Sequence, residues 1–258
     1  MLYVLLSAVF AIALTACGSG NEEDAADAEE QETNQEEKPQ TDSSNAEFDA
    51  LVSAMEEETE DTATLLFENN ESQSHEMEGL TLTLDAYQLV ELEDFHTNFS
   101  IPFEDQTDGG VILAQYTVKN DSDQDLHYMP TLDIDYVGAT KYYSNYRDLI
   151  PLEEQLPTIL SPDNEYLVEA GDEVTGYYAY PFGQKQLDDI LAEGNVIVDV
   201  PAPTTEYNEY SSTIGSGTEF TLPLDDDSAE KSAETESQGF YQDRISAENM
   251  GDKEMIEQ

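Results

Sequence analysis

One long stretch near the start of the chain has no large apolar side chains. Residues 18–44 contain no Leu, Val, Ile or aromatic residue and are rich in Glu, Asp, Gln and Asn. Such a composition cannot bury enough apolar surface to offset the entropy lost on ordering. Because like charges repel and extend a chain, we expect residues 17–45 to form a disordered acidic spacer.

A helical spacing follows the spacer. Phe48, Leu51, Val52 and Met55 recur at the three- and four-residue intervals that place side chains on one face of a helix. The pattern predicts an N-terminal amphipathic helix within a helical segment at residues 46–75, continuing as far as Phe67. Its narrow apolar stripe could pack on the rest of the chain or on a partner, and packing within the chain is the commoner outcome.

From residue 76 the apolar positions recur at every second residue, which is the period of a strand with one solvated face. Apolar runs of strand type lie at residues 80–85, 111–119, 126–137, 166–168, 173–181, 196–200 and 220–224. Residues 186–192 favour one short helix. We therefore predict a mainly β domain over residues 76–225, an antiparallel β-sandwich of about seven strands, followed by a polar tail at residues 226–258.

The chain has one cysteine, Cys17, so its fold cannot contain an internal disulfide bond. Residues 2–14 before it are almost wholly apolar, too short for a transmembrane helix of ~20 residues and typical of a secretion signal. They end in Leu14-Thr15-Ala16-Cys17, which resembles the lipobox of bacterial lipoproteins. The resemblance implies that residues 1–16 are removed and that Cys17 carries diacylglycerol and palmitate, which anchor the protein to the extracytoplasmic face of the membrane.

Two points about this leader stay open. An ordinary cleaved signal with an unrelated cysteine nearby is the alternative interpretation. The first three residues also carry no Lys or Arg, so the position of the start codon is open.

The formal net charge of −51 comes from 59 acidic and 8 basic side chains. Nucleic-acid binding depends on Lys and Arg, so we expect no nucleic-acid partner. One interpretation is adaptation to a salty exterior, where ions screen the self-repulsion of the protein. The other is cation binding, with low-affinity calcium binding as the specific form.

Two segments together resemble a known group of surface proteins. They are Gly110-Val-Ile-Leu-Ala-Gln-Tyr-Thr-Val-Lys-Asn120-Asp-Ser-Asp and Gly171-Asp-Glu-Val-Thr-Gly-Tyr177-Tyr. They are similar to strand and hairpin motifs in the telokin-like, immunoglobulin-like domains of Gram-positive surface lipoproteins. Residues 128–132 and 141–147 resemble one branch of that group, a domain of unknown function. The resemblance implies an immunoglobulin-like sandwich and assigns no catalytic residue.

A tyrosine-rich loop is the first of two candidate sites. Tyr142, Tyr143 and Tyr146 lie between Lys141 and Arg147, and tyrosines on a loop provide rigid contact area for binding. We interpret residues 141–147 as a candidate binding loop for a protein or cell-wall partner. The alternative is that these rings fill the core or cover one end of the sandwich.

The second candidate is a metal site. Asp121, Asp123 and Asp125 open like a calcium loop, but its sixth position is not Gly and its twelfth is not Glu. A hairpin turn is the alternative, and we expect no metal or other cofactor.

Catalytic signals are sparse. His75, His96 and His127 lack the spacing of a zinc helix, and Ser216 lacks the context of a nucleophile elbow. Acidic pairs such as Glu93 with Asp94 suit a hydrolase only when they flank a cleft. We therefore expect a non-enzymatic binding module, with a calcium-binding surface protein as the alternative and a carboxylate hydrolase as the third hypothesis.

Overall fold

A computed structural model describes residues 41–95 and 97–233 of this protein. The leader, Cys17, most of the acidic spacer, His96 and the tail from residue 234 lie outside the described residues, and so do the predictions made for them. Ten strands are described: β1 Thr64–Asn69, β2 Gln73–Met77, β3 Leu80–Leu92, β4 Gly109–Asn120, β5 Leu126–His127, β6 Ile134–Asp135, β7 Leu167–Val168, β8 Glu173–Gly183, β9 Asn195–Val200 and β10 Thr218–Pro223.

The helices are fewer and mostly short. The α-helices are α1 Thr41–Thr59, α2 Leu156–Ile159 and α3 Gln184–Glu193, and residues 226–233 are also helical. Single 3-10 turns lie at Thr97–Phe99, Leu152–Glu154, Pro162–Asn164 and Tyr210–Ser212. The short helix predicted at residues 186–192 is confirmed as α3, which buries Leu187 and Ile190.

The main sheet is antiparallel throughout. β3, β4 and β8 are its long strands, β8 forms one edge, and β1 and β2 both pair with β3 at the other edge. A second antiparallel sheet has the order β10-β9-β6, and β5 pairs with β7. The prediction of a mainly β, antiparallel fold is confirmed, with ten strands in the described residues instead of about seven.

The larger core lies between these sheets. Alternate residues of β3 and β4, among them Leu82 and Tyr116, pack in one cluster with Val198 of β9 and Leu222 of β10. All four side chains are completely buried. The period-two pattern of the sequence therefore marks the inner face of each strand.

Tyrosine hydroxyls connect the main sheet to the layer that covers it. The Tyr180 hydroxyl donates to the carbonyl of Leu132 at 2.7 Å, and the Tyr87 hydroxyl donates to the carbonyl of Pro223 at 2.6 Å. Tyr178 donates in the same way to Pro130. A tyrosine adds both apolar area and a hydrogen bond to a buried carbonyl, so these residues join the layers without a disulfide bond.

The predicted strand over residues 126–137 is interrupted. β5 and β6 take only its two ends and belong to different sheets. Pro130 lies between them, and a proline has no N–H to donate to a strand ladder. The apolar residues of this segment, such as Leu132, are still buried. The pattern therefore predicted the buried positions correctly, but it predicted one strand where the structure has two short ones.

The prediction of a helical segment over residues 46–75 is wrong in its second half. Helix α1 begins at Thr41 and ends at Thr59, and Glu60 follows in the left-handed region with φ 60°. Beyond it, the segment forms β1 and β2, and Ala63 and Phe67 are partly buried. The acidic run at the end of the helix hides the change from helix to strand in the sequence. The β region therefore begins before the predicted residue 76.

The first half of that segment packs within the chain, as expected. Phe48, Leu51 and Met55 of α1 are buried in a second cluster with Val90 and Leu113 on the outer face of the main sheet. The ring of Phe48 meets the ring of Tyr177 edge-on at 5.7 Å. Helix α1 is therefore the cover of this half of the sheet.

Replacing Phe48 with alanine tests this packing. Because the Phe48 side chain is completely buried, Phe48→Ala should lower the free energy of unfolding by about 3–5 kcal/mol. Urea denaturation followed by circular dichroism measures the change. Glu57→Ala on the exposed side of the same helix is the control, and equal effects of the two variants would contradict the packing.

Candidate functional site

The outer face of the main sheet is divided into an apolar half and a polar half. Val90, Leu113 and Ala179 belong to the half that α1 covers. Further along the same strands the outward positions are taken by hydroxyl, amide and charged side chains. Helix α1 does not extend over this second half, which is the floor of an open groove.

Four hydroxyl groups form a row across this floor. Ser74 of β2 is opposite Thr83 of β3, Thr83 is opposite Thr117 of β4, and Thr117 is opposite Thr175 of β8. The Ser74 and Thr83 hydroxyl oxygens are 2.9 Å apart, and those of Thr117 and Thr175 are 2.8 Å apart. Neighbouring strands lie about 4.8 Å apart, so the row repeats at that spacing over four strands.

Asp85 of β3 adds a carboxylate beside the row. A β-bulge between Leu84 and Ala86 leaves Asp85 as an extra residue of β3, and bulges commonly re-aim a side chain. The Thr117 hydroxyl donates to Asp85 Oδ2 at 2.7 Å. Since Thr117 has only one proton to donate, Thr175 must donate to Thr117, so a directed chain of hydrogen bonds runs from β8 to the carboxylate.

Burial raises the pKa of Asp85, and the nearby charge of Glu173 raises it further, while the hydrogen bond from Thr117 opposes the shift. The main cause is desolvation, which disfavours the ionised form of a carboxyl group. The fold therefore disfavours the ionised form of the Asp85 carboxyl group.

The rim of the groove next to α1 is fixed by three side chains. Gln115 Nε2 donates to the Tyr177 hydroxyl at 2.7 Å and to Glu47 Oε2 at 3.2 Å, and the Tyr177 hydroxyl donates to the same Glu47 oxygen at 2.7 Å. Burial and the bond to Glu47 both raise the pKa of Tyr177. These bonds hold the N-terminal part of α1 against the sheet where the polar half begins.

The groove has a volume of about 900 Å³. Its lining side chains are Glu47, Asn70, Ser72, Thr81, Thr83, Asp85, Ala86, Gln115, Thr117, Lys119, Asp121, Glu173 and Thr175. Lys119 is already paired with Asp121 at 2.9 Å. Hydroxyl, amide and carboxylate oxygens thus dominate the lining, so the groove can form many hydrogen bonds to a polar ligand.

The predicted binding loop is divided among different environments. Tyr143 is buried, and its ring packs on Phe182 with ring centroids 4.6 Å apart. Lys141 lies 5.0 Å from the centroid of the Tyr143 ring and forms an ion pair with Glu104 at 2.5 Å. Tyr143 therefore fills the core, as the alternative interpretation stated.

The other loop residues lie on two separate surfaces. Tyr142 is exposed and lines a depression with Asp133 and Asp199. Tyr146 and Arg147 line a different groove beside the C-terminal part of α1. The structure does not gather the five residues into one patch, and binding by this loop stays a prediction.

The acidic turn after β4 has internal partners. Asp121 pairs with Lys119, the Asp125 carboxylate accepts from the backbone N–H of Ala170 at 3.0 Å, and Asp123 is exposed. Over residues 41–95 and 97–233, no group of three or more His, Cys, Asp or Glu side chains is placed to hold a metal ion. Calcium binding here also stays a prediction.

The remaining sequence candidates make structural contacts. His75 Nε2 is 2.9 Å from the carbonyl oxygen of Ser216, and His127 Nδ1 is 2.8 Å from that of Glu165. Because a carbonyl only accepts, each ring nitrogen is the donor. The Asp94 N–H donates to Asp108 Oδ1, so the Asp108 carboxylate holds a backbone group of this loop.

Comparison with known proteins identifies the family. The family described as a domain of unknown function (DUF5068) matches residues 37–225. This protein belongs to that family. This match confirms the predicted resemblance to a domain of unknown function. The match includes α1 and all ten strands.

A solved structure supports the fold. It is described as a functionally unknown protein from Listeria monocytogenes EGD-e, and it is 18% identical in sequence with a TM-score of 0.52. The match covers 67% of this chain and 93% of the Listeria chain. None of the curated proteins matches. No helix of the described residues is long and apolar enough to cross a membrane.

Sequence reasoning did not identify the polar groove. Its signal was present in the alternation of Thr81, Thr83 and Asp85 with leucines and in the run Gln115, Thr117, Lys119. Each run alone is typical of a solvated strand face. Only the register of four strands, set by residues far apart in the chain, shows that the hydroxyls form a row.

The raised pKa of Asp85 makes the free energy of unfolding depend on pH. Because the folded protein binds the Asp85 proton more tightly than the unfolded chain does, the contribution of Asp85 to stability falls as pH rises from about 4 through its raised pKa. Asp85→Asn keeps an oxygen that accepts from Thr117. It should raise the free energy of unfolding at neutral pH, with the gain fading below about pH 4.

Urea denaturation at several pH values measures this difference. Asp163→Asn, at an exposed residue of the Pro162–Asn164 turn, is the control for the loss of one negative charge. A gain that is equal in the two variants, or one that persists in acid, would contradict the role given to Asp85.

Proposed function

We propose that this protein is an extracytoplasmic lipoprotein whose β domain is a non-enzymatic binding module. In this proposal Cys17 carries the lipid, and the acidic residues between Cys17 and helix α1 separate the domain from the membrane. The groove on the main sheet takes a polar ligand of the cell envelope. The observation that carries the binding role is the row of hydroxyls with the Asp85 carboxylate beside it.

Several properties of the row support binding over a purely structural role. The hydroxyl side chains lie on the outer face of the sheet, and Thr175 is exposed to solvent. Their spacing is fixed by four paired strands and not by a loop, so little order has to be gained when a ligand binds. The hydroxyls of Thr83 and Thr175 retain lone pairs for a ligand.

The anchoring part of the proposal is supported by the leader and the lipobox-like Leu14-Thr15-Ala16-Cys17. An immunoglobulin-like sandwich, which the antiparallel sheets accommodate, is a common scaffold for surface domains. The strongly acidic surface suits an exterior in which salt screens repulsion between charges. The assigned family has no described function, so it neither adds to nor restricts this proposal.

Fractionation of cells tests the anchor. Cys17→Ser removes the sulfur that would be acylated, so the protein should move from the membrane fraction to the medium. Mass spectrometry of the wild-type N-terminal peptide should find a diacylglyceryl cysteine. Unmodified Cys17 in the mature protein would contradict the anchor while leaving the binding proposal untouched.

Capture from solubilised envelope extracts tests the groove. The immobilised bait is the chain carrying Cys17→Ser, with or without Thr83→Val and Thr175→Val. Valine has the shape of threonine and suits a strand, so the double change removes the hydroxyls and should reduce capture severalfold. Thr221→Val, at an exposed threonine of β10, is the matched control.

A Tyr142→Ala/Arg147→Ala bait separates the groove from the tyrosine-rich loop. The proposal predicts that this bait captures the same components as wild type. Loss of capture with the loop variant, together with full capture by the groove variant, would transfer the binding role to the loop.

A further inference from the structure

Three aromatic rings lie together on a surface that is separate from the groove. The ring of Tyr207 is 6.0 Å from the ring of His127 and 6.1 Å from the ring of Tyr166, measured between centroids. All three residues are partly exposed. Exposed aromatic residues that touch one another are a common way to build a binding surface.

Regular structure positions two of these rings. His127 belongs to β5, pairs with Leu167 of β7 and exchanges two backbone hydrogen bonds of 2.9 Å with Thr204. Its Nδ1 donates to the carbonyl of Glu165 at 2.8 Å. The Tyr166 carbonyl accepts from the N–H of Tyr128 at 2.8 Å. The imidazole and the Tyr166 backbone are therefore fixed to the same small sheet.

Unusual backbone conformations surround the rings. Glu165 and Tyr166 are consecutive residues with φ of 59° and 54°, and Asn208, next to Tyr207, has φ of 57°. Side chains with a Cβ are disfavoured in this region, and such residues persist only where their surroundings hold them. Here the N–H of Tyr166 is held by the carbonyl of Ser161 at 3.0 Å.

The charge around the rings is negative. Glu165, Glu206 and Glu209 are exposed and lie in the segments that carry Tyr166 and Tyr207. In the described part of the chain, the only cation found over an aromatic ring is Lys141 on Tyr143. The ring faces of this surface therefore have no internal cation, and their carboxylate neighbours attract one.

We propose that His127, Tyr166 and Tyr207 form a binding site for a trimethylammonium group. A methylated ammonium ion is weakly hydrated and is attracted to the π faces of aromatic rings. The rings of each contacting pair are tilted by 44°, so they do not form the flat platform that suits a sugar ring. In the proposed site, a compact, rounded cation contacts the faces of more than one of these rings.

The chemistry fits two sources, a free small molecule such as choline and the head group of a phosphatidylcholine-type lipid. Both present the same cation, so the site is defined by the trimethylammonium group. This inference does not rest on the polar groove or on the anchor, because it uses different residues and the Cys17→Ser protein can be used throughout.

NMR titration of the Cys17→Ser protein with choline tests the proposal. The matched control ligand is 3,3-dimethylbutanol, which has the shape of choline without the charge. We expect choline to shift the tyrosine ring signals and to bind at least tenfold more tightly than the neutral compound. Equal affinity of the two, or no binding of choline, would overturn the proposal.

Variants locate the site. Tyr207→Ala should weaken choline binding about fivefold or more, whereas Tyr207→Phe keeps the π face and should remain within about twofold of wild type. Tyr210→Ala, at a neighbouring tyrosine that is 78% exposed, should bind like wild type. Thermal melting checks that Tyr207→Ala is folded, and unchanged affinity in that variant would overturn the assignment.

Flotation with phosphatidylcholine vesicles separates the two sources. Binding to choline and to vesicles, both lost in Tyr207→Ala, would support a head-group site. Binding to choline without vesicle binding would support a free ligand. Vesicle binding that persists in Tyr207→Ala would show that other residues bind the membrane and would count against the lipid source.

Discussion

The main sheet has apolar side chains on both faces, and each face has to be removed from water. The inner face of β3, β4 and β8 is covered by the second sheet and the segments around it, which form the larger core. The outer face depends on α1, because Phe48, Leu51 and Met55 are the large side chains of the helix that cover it. The N-terminal helix is therefore part of the domain and not an appendage to it.

The length of α1 determines where the polar groove begins. Val90 and Leu113 lie under the helix, whereas Thr83 and Thr117 lie on the same faces of the same strands beyond it. Glu47 meets Gln115 and Tyr177 at this boundary through hydrogen bonds. One sheet face thus serves two purposes, with packing at one end and a hydrogen-bonding surface at the other.

The sequence predicts some of these features well and others poorly, for physical reasons. Period-two alternation identified β3, β4 and β9, because burial on one side is a local property of a strand. The strand β1 was predicted as helix, because the acidic run Glu56–Glu60 carries no period that separates the two elements. The sequence left the position of Tyr143 open for a different reason, since its burial depends on contact with Phe182, which is distant in sequence.

The bulge in β3 places Asp85 outside the regular alternation of the strand. Leu84 points to the core, Ala86 points outward and Tyr87 points to the core again. If Asp85 were excised, that alternation would be left intact. A strand one residue shorter at this point would keep the alternation of its apolar positions and lose the carboxylate. The apolar packing of β3 therefore does not require Asp85, whose carboxylate serves the outer face alone.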